Sequence, residues 1–476
     1  MFKLSLNSLK WIWAPIILAI VISVVPPMIL IILTLIIGFL LFVNRNQVLI
    51  LPLIILSYLA VTSDYLKDYR IIVNLLSTLV LFYIFLKKYG LSYSDYPEVP
   101  RGVIFFCILL FSTLIVSTIF SGYPLTSFAA TLRMFLFLLI SYMFYALIQN
   151  KDDILMYFYS IISVMIIIGL PMIIDAYNLG LEKYFMRVIL SEKFDLLAAT
   201  RYSSFTIFFI AIAVTTSLLF IKEKQFGSKN FVFSIIIIFN IIFLILANSR
   251  GGILAAILSI GFILFILNRK LFLKGMLAFI LISVVLFFSM TEFNQAVTNY
   301  LRLETVSDRE VYWQMGIDVI GDNPIVGVGV DVFDKYFFNY APSSTVNYFK
   351  SDFLNIGKPH PHNFFLFYTA ENGILGLLTS IMFFVMFFYY AIISMRLTKN
   401  NDYNFYVLTV AITGIGIGLF FRSFIEVTGY LIYGYITRDL PFWLLFGALV
   451  FIYQKFNNLN ISNSSDTIPY EITGSK

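Results

Sequence analysis

Histidine and cysteine are almost missing from this chain: its 476 residues include two of the first and one of the second. Cys107 lies alone inside an apolar run, which excludes an internal disulfide and any cysteine-rich metal site. Charge is scarce too, at 12% of residues, where soluble domains carry about 25%. Several catalytic signatures are absent: a Gly-rich Lys-Ser/Thr phosphate loop, a His-Glu-x-x-His zinc helix and a Gly-x-Ser-x-Gly nucleophile elbow. Gly327-Val328-Gly329 lacks the third glycine and the strand–helix setting of a dinucleotide site. ATP-driven work and cofactor chemistry therefore find no support, and no cofactor or metal is expected.

Apolar sequence fills the space these absences leave. The chain is 60% hydrophobic with a mean hydropathy of +0.92. Apolar runs recur from end to end, each long enough to cross a hydrocarbon core of about 30 Å. The fold class is an all-α polytopic membrane protein with about 12–14 transmembrane helices. Candidate spans lie near residues 11–25, 28–43, 47–62, 71–86, 102–120, 127–148, 154–174, 204–221, 231–248, 251–268, 271–290, 364–395, 404–421 and 439–453. The first two are short enough to pair as a hairpin. Lys3 and Lys10 before Trp11 resemble a signal sequence, but Pro26-Pro27 replaces a cleavage site, so an uncleaved first span is expected.

Lys and Arg collect in alternate short loops, which sets the orientation. With the N-terminus inside, Arg45, Lys87 to Arg101, Lys151, Lys222 to Lys229, Arg269-Lys270, Arg396 to Lys399 and Lys455 all fall on the inner side. The net charge of +6 thus reflects topology, and nucleic acid is not an expected partner. Four regions follow: membrane helices over 1–290, a large outer loop over 291–363, further membrane helices over 364–456, and a tail over 457–476 expected to be disordered. The outer loop carries nine acidic and five basic residues, too polar for lipid. Within it, Val311 to Ile317 reads as a short interfacial helix, and Pro324 to Gly329 breaks any regular element.

Polar exceptions gather on the outer face. Both histidines fall in Pro359-His360-Pro361-His362-Asn363, just before the span near 364. Histidine is the side chain that titrates near neutrality, so this run offers a proton-transfer group at a membrane interface. Three spans descending from the outer face open beside a cation or a histidine: Arg201 before Ser203-Ser204, Ser249-Arg250-Gly251-Gly252, and His362-Asn363. Asn363 is a suitable N-cap. Helix N-termini attract anions, and arginine adds bidentate phosphate recognition. Gly251 and Gly252 would let a ligand approach the backbone. Alternatives exist for each: Arg201 as a snorkelling interfacial arginine, Arg309 as a partner of its neighbours Asp308 and Glu310, Glu371 as a hydrogen-bonded packing residue. Glu371 lies nine residues past His362, about 13 Å into the membrane in a regular helix and facing another way.

His362-Asn363, with Gly373-Ile374-Leu375-Gly376 following after nine residues, resembles the histidine motif of the O-antigen ligase and O-antigen polymerase family. Ser249-Arg250-Gly251 is similar to the arginine that opens a periplasmic helix in those proteins. Arg309, Trp313, Pro324, Gly327, Gly329 and Phe333 resemble their large periplasmic loop. The likeness spans about residues 200 to 376. It implies a metal-independent glycosyltransferase in the inner (plasma) membrane, working on its outer side. The donor would be an undecaprenyl-diphosphate-linked glycan, and the acceptor another glycan unit in polymerases or lipid A-core in ligases. A chain-length regulator is a further partner so implied. Carried over by position, Arg250 and Arg309 would hold the diphosphate and His362 would take the acceptor proton. Arg201, Gly251 and Asn363 would assist binding, with Glu371, Trp313 and His360 in support. His360 departs from the pattern, since a second histidine could take the base role. The balance leans towards polymerase, because nothing in the loop is dedicated to a lipid A-core acceptor. Two competing readings are a metal-dependent dolichol-type transferase using Asp64 or Asp68, and a lipid-linked oligosaccharide flippase. The flippase predicts two related halves, and no internal repeat is visible.

Overall fold

The computed structural model describes residues 70–189, 201–221, 229–247, 249–289, 309–340, 360–433 and 436–465. The spans expected near 11–62, with Asp64 and Asp68, lie outside these residues. Helices make up the described architecture, and no strand occurs within it. In chain order they are α1 (Arg70–Tyr89), α2 (Arg101–Ile119), α3 (Pro124–Leu147), α4 (Lys151–Leu179), α5 (Leu181–Ile189), α6 (Arg201–Leu218) and α7 (Lys229–Leu246). There follow α8 (Arg250–Leu267), α9 (Arg269–Ser289), α10 (Arg309–Asp322), α11 (Phe333–Tyr340), α12 (Phe364–Lys399), α13 (Tyr403–Arg422) and α14 (Ile436–Ser465). Among the described residues seven helices are long and apolar enough to cross a membrane: α2, α3, α4, α8, α12, α13 and α14 from Arg438. This is a multi-pass all-α membrane protein. Because α14 runs on to Ser465, the tail expected to be disordered from Asn457 begins as helix.

Apolar side chains line both the interior and the outer surface of the helices. On α2, Phe105, Ile108 and Ile119 are exposed, whereas Thr113 and Ser117 are buried. Lipid solvates the apolar side chains, and polar groups find partners between helices. Thr113 bonds Thr379 on α12 at 2.9 Å, and Ser117 donates to the Glu371 carbonyl at 2.7 Å. Small residues bring α8 and α13 together in antiparallel contact. A Cβ on Gly414 would sit 3.0 Å from the Ser259 carbonyl, and one on Gly418 would collide with Ser259 and Ala255. Substitution there would force the helices apart. That close approach brings the beginning of α8, with Arg250, alongside the end of α13, with Arg422.

The expected regularity of α12 fails at Gly373, whose φ of 61° and ψ of −154° interrupt the helix. The broken turn leaves backbone groups that lipid cannot satisfy. The segment 323–332, between α10 and α11, supplies partners: the Val328 amide donates to Ala370 O at 3.0 Å, and the Gly329 amide donates to Glu371 O at 2.9 Å. On the far side of the break, the Ile374 amide donates to Pro324 O at 2.9 Å. Gly327 and Gly329 take positive φ values of 70° and 118°. A Cβ on Gly327 would overlap the Glu371–Asn372 backbone, and one on Gly329 would overlap Ser121. The Pro-Ile-Val-Gly-Val-Gly sequence is therefore an insert, shaped by its glycines to fit a helix break.

Gly373→Ala should be severely damaging. Alanine disfavours this conformation by about 1–3 kcal/mol, and its Cβ would strike the Ile325 carbonyl. Thermal unfolding of the detergent-solubilised full chain should show a clearly lower midpoint, whereas Gly275→Ala, with open space around it, should be neutral or mildly stabilising. Equal midpoints for both variants would contradict the interlock.

Candidate active site

Asn363 ends the histidine run and starts α12. Its side chain accepts from the Leu366 amide at 3.0 Å, as an N-cap does, and its amide group donates to Phe424 O at 3.1 Å. The Phe364 amide donates to Ser423 O at 2.8 Å. These bonds lock the start of α12 to the loop that follows α13. His362 sits just before this cap with φ 48°, a left-handed conformation uncommon for a side-chain-bearing residue and typical of functional sites. That turn folds His362 back on His360: the His362 amide donates to His360 Nδ1 at 3.2 Å, and the ring centroids are 4.2 Å apart. Pro361 fits under α10, where a Cβ on Gly316 would lie 3.3 Å from it. Tyr312 on the same helix meets the His362 ring edge-on at 5.5 Å between centroids.

Behind His362 stands a group that sequence reasoning missed. His362 Nδ1 lies 3.6 Å from Oε2 of Glu426, an ion-pair separation slightly longer than a hydrogen bond. Nδ1 is buried and has no hydrogen-bond partner among the described residues, so a small rotation of the ring would close the gap. The other carboxylate oxygen accepts from the Val427 amide at 2.9 Å. Burial opposes ionisation of Glu426, but the adjacent His362, His360 and Arg422 outweigh it and hold the carboxyl well below its usual range. Arg422 is itself 1% exposed. Its guanidinium bonds the Thr428 carbonyl and hydroxyl, closing the loop on which Glu426 rides.

The sequence-predicted residues separate into three groups. Arg309 joins the histidines: it lies one turn before Tyr312, and its positive charge reaches His360. Burial, His362, Arg438 and Arg309 together push the His360 ring down to about 3, against a partial pull from Glu426. His360 is therefore neutral at physiological pH. Arg250 is exposed at the first position of α8, where Ser249 caps the helix by accepting from the Gly252 amide at 3.2 Å. Gly251 packs beside Ile425, which would be 3.0 Å from an added Cβ, and beside Arg422, so the α8 start abuts the Glu426 loop. Arg201 opens α6, but its side chain lies outside the described set; the same helix touches this loop where Thr206 meets Gly429.

Glu371 belongs elsewhere. Its carboxylate accepts from the Asp331 amide at 2.8 Å and the Phe333 amide at 2.9 Å, and it is 1% exposed. It anchors the inserted loop and does not face His362. Arg133 reinforces that anchor, bonding Asp331 at 2.8 Å and the Tyr433 carbonyl at 2.7 Å. Trp313 places its indole N–H in a buried position without a partner among the described residues. Arg438, which opens the membrane-spanning part of α14, was overlooked. A cation opening a descending span was the criterion that singled out Arg250, and Thr437-Arg438-Asp439 meets it. Arg422 and Glu426 carried a weaker signal, as charges directly after an apolar span. His360, His362 and Glu426 are the one group in the described residues whose ligand atoms could hold a metal, all within 4.8 Å of one another.

A family model described as O-antigen ligase matches residues 232–381, a stretch holding Arg250, Arg309, the inserted loop, both histidines and the α12 break. The chain is also 25% identical over 367 residues to a protein of Haemophilus influenzae (strain ATCC 51907 / DSM 11121 / KW20 / Rd) described only as uncharacterized, covering 73% of this chain and 85% of that one. Over residues 232–381, this membrane protein is similar to the O-antigen ligase family.

Proposed function

We propose that this membrane glycan-transfer enzyme moves an undecaprenyl-diphosphate-linked glycan onto an acceptor hydroxyl at the outer face of the inner (plasma) membrane, without a metal. The observation that carries the reading is the His362–Glu426 pair, 3.6 Å apart, set at the start of a helix with Arg309, Arg438 and the Arg250 helix terminus around it. The Glu426 carboxylate favours the His362 tautomer with its proton on Nδ1, which leaves the Nε2 lone pair as base. His362 takes the acceptor proton while the acceptor oxygen bonds the anomeric carbon. The bond from that carbon to the diphosphate breaks, and the diphosphate departs with the electron pair. Arg250 and Arg309 stabilise its growing charge, with Arg438 a further cation in reach. Arg201, Gly251 and Asn363 support binding of the same group, with Trp313 of α10 in a supporting role. His360, held neutral, accepts from the His362 amide and so positions His362 instead of replacing it.

The acceptor in this reading is a further glycan unit, which makes the enzyme polymerase-like. The ligase reading keeps the same machinery. A chain-length regulator fits the polymerase role. Surface polysaccharide from a deletion strain separates the two: a single-repeat band supports the polymerase, and loss of long chains from lipid A supports the ligase.

Three outcomes test the assignment. His362→Ala should lower the transfer rate by about 10²–10⁴-fold, and Glu426→Gln, which keeps the shape but removes the charge, should be impaired while remaining folded. Near-normal transfer by a folded His362→Ala protein would reject the base. Arg250→Lys and Arg309→Lys should each lose roughly 10- to 100-fold, since each charge-assisted contact contributes about 1.5–3 kcal/mol and lysine cannot bind in a fork. Activity should survive EDTA. Tolerance of both lysine variants together with EDTA sensitivity would favour the metal-dependent alternative. The topology has its own readout: cysteine at Ser249 should react with an impermeant thiol reagent on intact cells, with any outer membrane made permeable. Labelling only after lysis would reverse the orientation.

A further inference from the structure

His362 Nδ1 and Glu426 Oε2 form an unusual pair of atoms. Each is buried, they face one another at 3.6 Å, and neither has a closed hydrogen bond to the other. Nδ1 has no hydrogen-bond partner among the described residues, and Oε2 is the oxygen that the Val427 amide leaves unused. A ring nitrogen of His360 completes a three-donor set within 4.8 Å. The backbone holds this set in place: the left-handed His362, the Asn363 cap and the Arg422-braced loop fix all three residues. Two imidazoles and one carboxylate suit a borderline-soft ion such as Zn²⁺ and not Mg²⁺, which prefers oxygen. Bonds of about 2.0–2.2 Å in a tetrahedron put the donors roughly 3.3 Å apart, a contraction that side-chain rotations alone can supply.

We infer that His360, His362 and Glu426 form a binding site for a divalent transition-metal ion of the zinc type, and that occupancy switches the histidine off. A metal on Nδ1 displaces the ring proton to Nε2. That tautomer has no lone pair left to accept the hydroxyl proton of an acceptor. The metal is therefore an inhibitor here and not a cofactor, which accords with transfer in EDTA. Arg309 and Arg438 oppose the ion's charge, so the site is one of exchangeable occupancy and not a permanent structural centre. Binding is independent of the proposed reaction; only the loss of transfer rests on His362 being its base.

The test uses the full-length wild-type protein in detergent with no glycan present. Zn²⁺ titrated against a chromophoric chelator should load saturably at one ion per chain, Mg²⁺ should not compete, and His360→Gln and Glu426→Gln should each weaken binding by about tenfold or more. A zinc K-edge absorption spectrum of the wild-type complex should show nitrogen and oxygen neighbours with imidazole scattering, which guards against variants that fail to fold. No saturable binding by the wild type, unchanged affinity in both variants, or sulfur ligation from Cys107 would each overturn the site. In a transfer assay Zn²⁺ should inhibit and EDTA should restore activity. Saturable binding without inhibition would overturn the inhibitory half of the proposal, while loss of binding alone would leave the proposed reaction standing.

Discussion

The site depends on one interlock: a loop of backbone amides and carbonyls threaded into the break of α12. A helix interrupted near the membrane exposes polar groups that hydrocarbon cannot solvate. Here the inserted segment meets them, with Val328 and Gly329 donating to Ala370 and Glu371 and Pro324 accepting from Ile374. Glu371 adds its side chain, gripping the amides of Asp331 and Phe333 from within the same turn. The exchange is reciprocal, since the loop has no regular structure of its own and the helix has no complete hydrogen bonding without it. Both partners need glycine at the crossing, because a Cβ on Gly327 or Gly373 would enter the other's backbone and one on Gly329 would strike Ser121. The consequence reaches the surface: α10, which leads into the loop, is held against Pro361, and Arg309 and Tyr312 are carried to the histidines.

A second constraint works from the opposite side. Antiparallel packing of α8 and α13 through glycine and serine brings Arg250 beside the loop after Arg422. A buried arginine would be costly without partners, and Thr428 supplies two bonds to it. Its charge helps keep Glu426 ionised, and Glu426 in turn stands behind His362. Thus a cation with no direct part in the proposed transfer conditions the carboxylate that stands behind the proposed base. The result is a concentration of cations, one carboxylate and two rings at a helix start, where the dipole already favours an anion.

Much of this was legible before any coordinates. Hydropathy marked each described membrane helix to within a few residues, since a chain in lipid advertises its spans through composition alone. The positions of Arg250, His360 and His362 at the ends of those spans followed from the same reading, while Arg309 came from the outer loop's likeness to the family. Pro324 to Gly329 was recognisable as a break, though not as a plug for another break. Glu371 looked like an isolated intramembrane carboxylate on a regular helix, because nothing in a linear pattern announces that Gly373 will adopt positive φ or that loop amides 40 residues away will reach the carboxylate.

The sequence by itself determined the solvent: 60% hydrophobic residues and 12% charged leave the membrane as the setting, with one polar outer loop and a few charges at span ends. Tertiary structure alone decided which of those charges meet. Glu426 lies 64 positions from His362 along the chain, yet stands 3.6 Å from its ring. Helix packing makes that contact, through glycines that let α8, α12 and α13 approach and through caps that lock their ends together. Such distances depend on how helices cross in three dimensions, and the periodicity of a single helix carries no record of its neighbour's register.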